Sequence, residues 1–226
     1  MYQKALNIIK CFFYIYILDN FTYLNKNINT YKTVRNISEY LLKEKKSKFY
    51  GYAFSVSDTE EVDRYLAKLK KTHHSAGHFC YAYKIGIEDR YYRINDDGEP
   101  RNSAGAPIYG QINAFELTNI LIVVVRYFGG TKLGVGGLIS AYKECAKKTL
   151  ENNTIITNSI KIIIKIKFNY SEINNVMRII KDFKIKIKNK IMKDICIFEL
   201  ITNKENNILI IEKINQFRNI EILNNT

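Results

Sequence analysis

A glycine-rich loop after a long apolar run contains the residues best suited to bind an anion. Residues 120–125 are apolar and mostly β-branched, Arg126 ends the run, and Lys132 lies in the loop that follows. Glycine permits backbone conformations that turn several N–H groups in one direction, and the start of a helix adds further donors. The segment predicts an anion or phosphate site, with close packing of the loop against a sheet as the alternative. The glycines are Gly129, Gly130, Gly134, Gly136 and Gly137.

Neither of two common nucleotide-binding motifs fits this loop. A P-loop ends in Gly-Lys followed by Ser or Thr, but Lys132 precedes the later glycines and Leu133 follows it. A dinucleotide fingerprint built on Gly134 and Gly136 needs a third glycine at position 139, where the chain has Ile139. The loop therefore predicts an anion site, but its sequence does not indicate that the anion is a nucleotide.

A second group of chemically capable residues is the acidic segment Asp96-Asp97-Gly98-Glu99. Its carboxylates could bind Mg²⁺ or act as an acid and a base, which would make the protein a small enzyme working on a phosphorylated or nucleotide ligand. The same sequence is typical of a turn whose carboxylates accept backbone N–H groups, with His78 hydrogen-bonded beside it. We favour the turn and expect no catalytic residue.

Arg126 has two alternative roles. In the first, Arg126, Lys132 and the N–H groups near residues 134–137 line one anionic site, with Asp96 and Asp97 on its rim. In the second, Arg126 pairs with a carboxylate of the acidic segment and clamps two loops together. Loss of the arginine side chain would abolish partner binding in the first case and lower stability in the second.

The histidines and cysteines do not form a metal-binding pattern. In the group His73, His74, His78 and Cys80, only His74 and His78 have a spacing suited to zinc, and no second ligand pair is evident. The four cysteines of the chain are scattered without a C-x-x-C motif, as in reduced cytosolic proteins. We expect no metal, no cofactor and a cytoplasmic location.

The length suits one large or two small domains, and the charge favours anionic partners. The chain has 226 residues, of which 46% are hydrophobic, and its net charge is +13. A pI near 9.4 favours nucleic acid as partner, ahead of acidic proteins or membrane surfaces. Residues 1–30 are predicted to form a poorly ordered leader. The apolar run within them, from Ala5 to Leu18, is too short for a membrane span.

The sequence of residues 31–152 predicts an α+β domain that positions the glycine-rich loop and the acidic segment. We expect strands over Thr33–Tyr40 and Lys48–Val56, then a helix capped by Asp58 with Glu61 in a capping box. Further elements are expected as a hairpin of 79–87 with 91–94, a loop over 95–110, a short helix over 112–117, a buried strand over 120–125 and a helix over 137–152. Helical spacing places Tyr142 on the buried face of the last helix.

Residues 155–226 predict a second domain with one basic face, after a polar boundary at 152–158. Apolar residues alternate with lysines, and the expected order βαββαβ favours a ferredoxin-like sandwich with one open sheet face. This part holds thirteen Lys and Arg against seven Asp and Glu. The lysines could contact RNA phosphates, or they could be solvated residues that block edge pairing. They are Lys161, Lys165, Lys167, Lys184, Lys186 and Lys188.

Several ordered motifs give the chain, from about residue 31 onward, a family resemblance. They are His74-Ser-Ala-Gly-His78, Asp96-Asp-Gly-Glu-Pro100, Ala104-Gly105 with Pro107, and the run from Val125 to Gly137. Together they resemble the Impact family in its bacterial YigZ branch. The resemblance implies an N-terminal domain like the second domain of a small-subunit ribosomal protein, and a C-terminal domain like the fifth domain of elongation factor G.

The resemblance also implies a function linked to translation. We expect a non-catalytic protein that binds RNA or a ribosome-associated protein, and this expectation rests on domain analogy. The alternatives are a small enzyme at a cleft of Arg126, Asp96 and Asp97, and an adaptor that binds only proteins.

Overall fold

The computed structural model describes residues 29–87 and 91–223, and the chain divides into two compact units. Among the described residues, one unit lies within Tyr31–Asn158, and the other comprises residues 159–223 together with Asn29 and Thr30. The predicted leader, residues 1–30, lies outside the described residues except for Asn29 and Thr30. No helix in the described ranges is both long and apolar enough to cross a membrane.

The first unit is built on a five-stranded antiparallel sheet. Its strands are Ser38–Glu44 (β2), Ser47–Ser55 (β3), His78–Lys84 (β4), Tyr92–Asn95 (β5) and Ile120–Tyr127 (β6), in the order β2-β3-β6-β4-β5. Thr30–Val34 (β1) and Ile155–Ser159 (β7) pair in a separate two-stranded sheet. The helices are Thr59–Thr72 (α1), Gly105–Ala114 (α2) and Gly134–Glu151 (α3).

Helices cover both faces of β6, which explains its unbroken apolar sequence. Ile120, Ile122 and Val124 pack in one core with residues of α2 and α3. The alternate residues Leu121, Val123 and Val125 pack in a second core with residues of α1. Because successive side chains of a strand point to opposite faces, a central strand between two cores needs apolar residues throughout. The prediction of a buried strand ending at Arg126 agrees with this arrangement.

Asp58 caps α1 as the sequence predicts, but the reciprocal bond of Glu61 goes to Ser57, the residue before the cap. The Asp58 carboxylate accepts the Glu61 backbone N–H at 2.8 Å, and the Glu61 carboxylate accepts the Ser57 N–H at 2.8 Å. The acceptors are supplied within four residues, so this helix start is determined locally.

The second unit has the predicted order βαββαβ. Its strands are Lys161–Asn169 (β8), Lys186–Ile191 (β9), Ile195–Asn203 (β10) and Ile220–Leu223 (β11), in the antiparallel order β11-β8-β10-β9. Ile173–Asp182 (α4) and Asn207–Asn215 (α5) pack on one face of this sheet, around Phe168, Phe198 and Leu200. On the other face Lys165 and Lys167 keep 39% and 43% of their side chains exposed.

Several predicted boundaries were wrong. The single strand predicted over Thr33–Tyr40 is divided between β1 and β2, and β7 occupies part of the segment predicted to be irregular. Helix α2 begins at Gly105 rather than near Ile112, and α3 begins at Gly134 rather than Gly137. The lysine-rich strand β9 begins at Lys186, so Lys184 lies in the turn before it, with a left-handed φ of 51°.

Candidate functional site

The acidic segment connects β5 to α2, and its first carboxylate caps that helix. Asp96 Oδ1 accepts the backbone N–H groups of Ala104 and Gly105 at 3.0 and 2.8 Å, and Oδ2 accepts that of Asn102 at 2.8 Å. A side chain added at Gly105 would lie 2.7 Å from the backbone nitrogen of Asn95, so the helix start lies directly against the end of β5. An anionic acceptor at a helix N-terminus is favoured by the helix dipole as well as by these bonds.

The second carboxylate fastens the turn to β4. Asp97 has a left-handed φ of 41°, and its N–H donates to Asn95 Oδ1 at 2.7 Å. Asp97 Oδ2 accepts the backbone N–H of Phe79 at 2.7 Å, and His78 Nδ1 donates to the Asp97 carbonyl oxygen at 2.8 Å. Asn and Asp tolerate this backbone conformation better than other non-glycine residues. These contacts are those expected of the turn interpretation, including the hydrogen bond of His78.

The third carboxylate forms a buried ion pair with Arg126. Arg126 Nη1 donates to Glu99 Oε1 at 2.6 Å, and only 6% and 4% of the two side chains are exposed. Tyr142 on α3 donates its hydroxyl hydrogen to the same oxygen at 2.7 Å. We call Glu99, Arg126 and Tyr142 the Glu99 clamp, because they join the acidic segment, β6 and α3. His78 Nε2 lies 4.0 Å from Glu99 Oε1, at its edge.

Aromatic rings enclose the guanidinium group of Arg126. Its Cζ atom lies 5.4 Å from the ring centroid of Phe49 and 5.5 Å from that of Phe128, distances at which cation–π attraction operates. Phe49 and His78 are the cross-strand neighbours of Arg126 on β3 and β4. Arg126 Nε is buried and has no hydrogen-bond partner among the described residues. The arginine is therefore held mainly by Glu99 and by packing.

A buried thiol adjoins the Glu99 clamp. Cys80 Sγ lies 3.3 Å from the Tyr142 hydroxyl and 3.0 Å from the Asp96 carbonyl oxygen. Burial raises the pKa of Cys80 and the pKa of Tyr142 far above their usual values, since both would lose hydration on ionising. The thiol is thus held protonated, as in an inert buried cysteine.

The glycine loop serves two different purposes. A side chain at Gly129 would overlap the backbone of Lys46, so this glycine allows the loop to pack on the β2–β3 turn. Gly130 and Gly134 have left-handed φ angles of 83° and 75°, with nothing within 4 Å of an added Cβ. Gly136 likewise faces open space, whereas Gly137 contacts Leu133. Packing therefore explains Gly129 and backbone conformation explains Gly130 and Gly134.

The structure brings some predicted site residues together and leaves others apart. Asp96, Asp97, Glu99, His78 and Arg126 form one hydrogen-bonded cluster. Lys132 is exposed on the glycine loop, and no described residue forms an ion pair or hydrogen bond with its side chain. The pairing of Arg126 with Glu99 is the contact expected of the internal clamp, while the anion site at this loop stays a prediction.

The predicted lysines of the second unit differ in their surroundings. Lys165 lies 3.8 Å from a Glu199 carboxylate oxygen, and Lys167 lies 3.5 Å from one of Glu221. The other four have no ion-pair partner among the described residues: Lys161, Lys184, Lys186 and Lys188. Three of these, all except Lys188, line a cavity of about 380 Å³ with Phe183, Asn203 and Asn206.

Sequence reasoning did not identify Tyr142 or Phe183. Tyr142 was assigned to the helix core, which is correct, but a buried tyrosine hydroxyl needs a hydrogen-bond partner, and that requirement was the available signal. Phe183 follows α4 directly as its C-cap residue. No group of three or more His, Cys, Asp or Glu side chains within residues 29–87 and 91–223 is arranged to hold a metal ion.

Comparison with known sequences and structures gives consistent matches. The Impact N-terminal domain family matches residues 45–150, which contain the whole Glu99 clamp and the glycine loop. A crystal structure of a hypothetical protein superimposes with a TM-score of 0.72 at 22% identity, covering 88% of this chain and 98% of the other. That similarity concerns the fold alone.

Two curated relatives illustrate the extent of the sequence similarity. The IMPACT family member YigZ of Escherichia coli (strain K12) is 36% identical over 100 residues, which cover 43% of this chain and 49% of that protein. The IMPACT family member YvyE of Bacillus subtilis (strain 168) is 32% identical over 161 residues, covering 71% of this chain and 74% of the relative. The Glu99 clamp, the Asp96 cap and the glycine loop are thus features of a chain that belongs to the IMPACT family.

Proposed function

We propose that this chain is a cytoplasmic, non-catalytic RNA-binding protein that acts on the translation apparatus. The observation that carries the proposal is the group of six predicted lysines in the second unit, five of them on strands of its sheet and Lys184 in the turn before β9. Four of the six have no carboxylate partner among the described residues, so their charges can interact with an external anion. Lysine contacts to phosphates supply most of the affinity in sequence-independent nucleic-acid binding.

The fold of the second unit supports this assignment. The strand order β11-β8-β10-β9 with two helices on one face is the arrangement of a ferredoxin-like sandwich. Such a sheet leaves one face open for a ligand. RNA-recognition modules bind bases on the open face of a four-stranded sheet by stacking them on aromatic residues, whereas the lysines of this face would contact phosphates. The resemblance of both units to domains of translation proteins, inferred from the sequence motifs, directs the proposal to the translation apparatus by analogy.

The Glu99 clamp makes an enzyme the weaker alternative. A phosphoryl or carboxylate ligand at Arg126 would have to displace Glu99, whose oxygen lies 2.6 Å from Nη1 in a buried position. The carboxylates of Asp96 and Asp97 accept backbone N–H groups, which is a structural use. One observation favours the anion site: Arg126 Nε has no hydrogen-bond partner among the described residues, so its N–H is left to donate to an anion.

RNA content after purification tests the proposal. The full chain purified without nuclease at low salt should carry RNA, visible as excess absorbance at 260 nm and identifiable by sequencing. Its affinity for single-stranded RNA should fall steeply as salt increases, because bound phosphates release counterions.

Two outcomes would contradict the proposal. A protein free of nucleic acid that binds single-stranded RNA more weakly than about 10⁻⁴ M would not reach even ordinary non-specific affinity. Salt-sensitive capture of an acidic protein without RNA would favour the adaptor instead.

A further inference from the structure

The cavity in the second unit spans three adjacent strands of its sheet. Lys161 on β8 pairs with Asn203 on β10, and Ile201 on β10 pairs with Lys186 on β9. Residues two apart on a strand share a face, so Lys161, Asn203, Ile201 and Lys186 lie on the same side of the sheet. The cavity volume of about 380 Å³ lies within the range of sites that hold small ligands, about 300–1,000 Å³.

The charges around this cavity have one sign. Its lysines are Lys161, Lys184 and Lys186, and no carboxylate is among the described residues that line it. Farther along the same face the situation differs, since Lys165 and Lys167 each lie within 4 Å of a glutamate. The positive potential of the face is therefore concentrated at the cavity.

The cavity also contains groups suited to a base rather than to a phosphate alone. The half-buried side chain of Phe183, which also packs against the apolar core of the second unit, forms one wall and Ile201 forms another. The amide side chains of Asn203 and Asn206 have no hydrogen-bond partner among the described residues, and Asn206 precedes α5 without capping it. Aromatic stacking together with amide hydrogen bonds is how proteins bind unpaired bases of RNA.

Lys184 belongs to the end of α4 and not to the edge strand. Its φ of 51° lies in the left-handed region because Lys184 follows the C-cap residue Phe183, and the N–H of Ile185 donates to the Ile180 carbonyl oxygen at 2.9 Å. Lysines that only prevent edge pairing need to stand on the edge strand itself, as Lys188 and Lys190 do. Lys184 lies off the strand and lines the cavity with Lys161 of β8 and Lys186 at the start of β9.

We propose that this cavity binds one nucleotide of single-stranded RNA, with the phosphate among Lys161, Lys184 and Lys186 and the base beside Phe183. This inference rests on the proposed RNA-binding function and assigns its central contact. The amides of Asn203 and Asn206 face the base or the ribose hydroxyls.

Two triple variants of the full chain test the assignment. The cavity variant is Lys161→Gln, Lys184→Gln and Lys186→Gln. The control variant is Lys181→Gln, Lys190→Gln and Lys193→Gln, which removes the same charge from exposed positions outside the cavity and outside the six predicted RNA-binding lysines. Binding of a fluorescent oligouridine of about 12 nucleotides is measured as a function of salt, and thermal unfolding checks the fold.

The proposal predicts a different salt dependence for the two variants. The slope of log K against log salt should flatten by about 0.7 in the cavity variant, since the single phosphate held among the three lysines contributes about 0.7 in a single strand. The control variant should leave the slope unchanged, because its lysines contact no phosphate of the proposed nucleotide. Equal slopes in the two variants, with RNA binding retained, would overturn the cavity assignment and leave the proposed function intact.

Two further measurements separate the remaining outcomes. If the wild type binds no RNA at all, both the proposed function and this assignment fail. Uridine monophosphate tests a free nucleotide as the source of the phosphate, and it should bind far more weakly than the RNA because it lacks the neighbouring phosphates. Binding of the mononucleotide as tight as that of the RNA would replace RNA by a free nucleotide as the ligand.

Discussion

The Glu99 clamp should be the most mutation-sensitive interaction of the first unit. In Glu99→Gln the side chain keeps its size, but Arg126 becomes a buried cation without a counter-ion. Breaking a buried ion pair from one side costs about 3–5 kcal/mol. Because small domains have unfolding free energies of about 5–15 kcal/mol, this change would remove a large part of the stability of the unit.

A double-mutant cycle measures the coupling directly. Arg126→Met should also lower the free energy of unfolding by about 3–5 kcal/mol, because it leaves the Glu99 carboxylate buried with only the Tyr142 hydroxyl bonded to it. The double variant Glu99→Gln with Arg126→Met contains neither charge, so its loss should be smaller than the sum of the two by about 2 kcal/mol or more.

The surface pair of Lys32 and Glu116 provides a matched control. Its N–O distance is also 2.6 Å, but 47% and 75% of the two side chains are exposed. The corresponding cycle with Lys32→Met and Glu116→Gln should give a coupling below about 1 kcal/mol, because solvent screens exposed ion pairs.

Urea unfolding followed by circular dichroism gives these free energies, and hydrogen exchange of β6 and α3 assigns them to the first unit. Additive losses, or single-variant losses below about 1 kcal/mol, would refute the clamp. Stabilisation of the wild type by phosphate, beyond that of sodium chloride at equal ionic strength, would instead support an anion site at Arg126.

Five other substitutions test particular contacts and buried groups. Asp96→Ala should lower the free energy of unfolding by about 2–3 kcal/mol in urea titrations, because three N–H groups at the start of α2 lose a charged acceptor, and Asp97→Asn should cost less. Gly129→Ala should sharply reduce the melting temperature, because the new methyl group overlaps the β2–β3 turn, whereas Gly136→Ala should be neutral or stabilising by up to about 1 kcal/mol. Burial lowers the pKa of His73 below its usual value near 6.5, so the unfolded chain takes up a proton more readily than the folded protein does. The free energy of unfolding should therefore be constant above about pH 6.5 and should fall as the pH drops below that value. His73→Gln should lessen this fall.

The sequence allowed prediction of features whose partners are close along the chain. The side chains that accept hydrogen bonds at the start of α1 lie within four residues of their N–H donors. The unbroken apolar sequence of β6 indicates that both of its faces are buried. The start of α2 was missed because its acceptor, Asp96, lies eight and nine residues before the N–H groups it binds. The usual helix-start signal requires a capping side chain next to the first turn, and here Ala104 stands in that position.

The choice of Glu99 as the partner of Arg126 could not be made from the sequence. All three carboxylates lie in one short segment, and only the three-dimensional turn decides which of them reaches the guanidinium group. Asp96 turns toward α2 and Asp97 toward β4, so Glu99 is the carboxylate left for β6. Helical periodicity placed Tyr142 in the core, but periodicity does not indicate which acceptor its hydroxyl meets.

The two units use charge in opposite ways, and this difference separates stability from binding. In the first unit Arg126 is buried against Glu99, where dissolved salt screens the attraction little. In the second unit the lysines at the cavity are exposed and unpaired among the described residues, where salt competes directly with an incoming phosphate. Salt should therefore weaken RNA binding long before it alters the hydrogen-exchange protection of β6. If both declined together with rising salt, binding would depend on the buried pair, and the assignment of recognition to the second unit would be wrong.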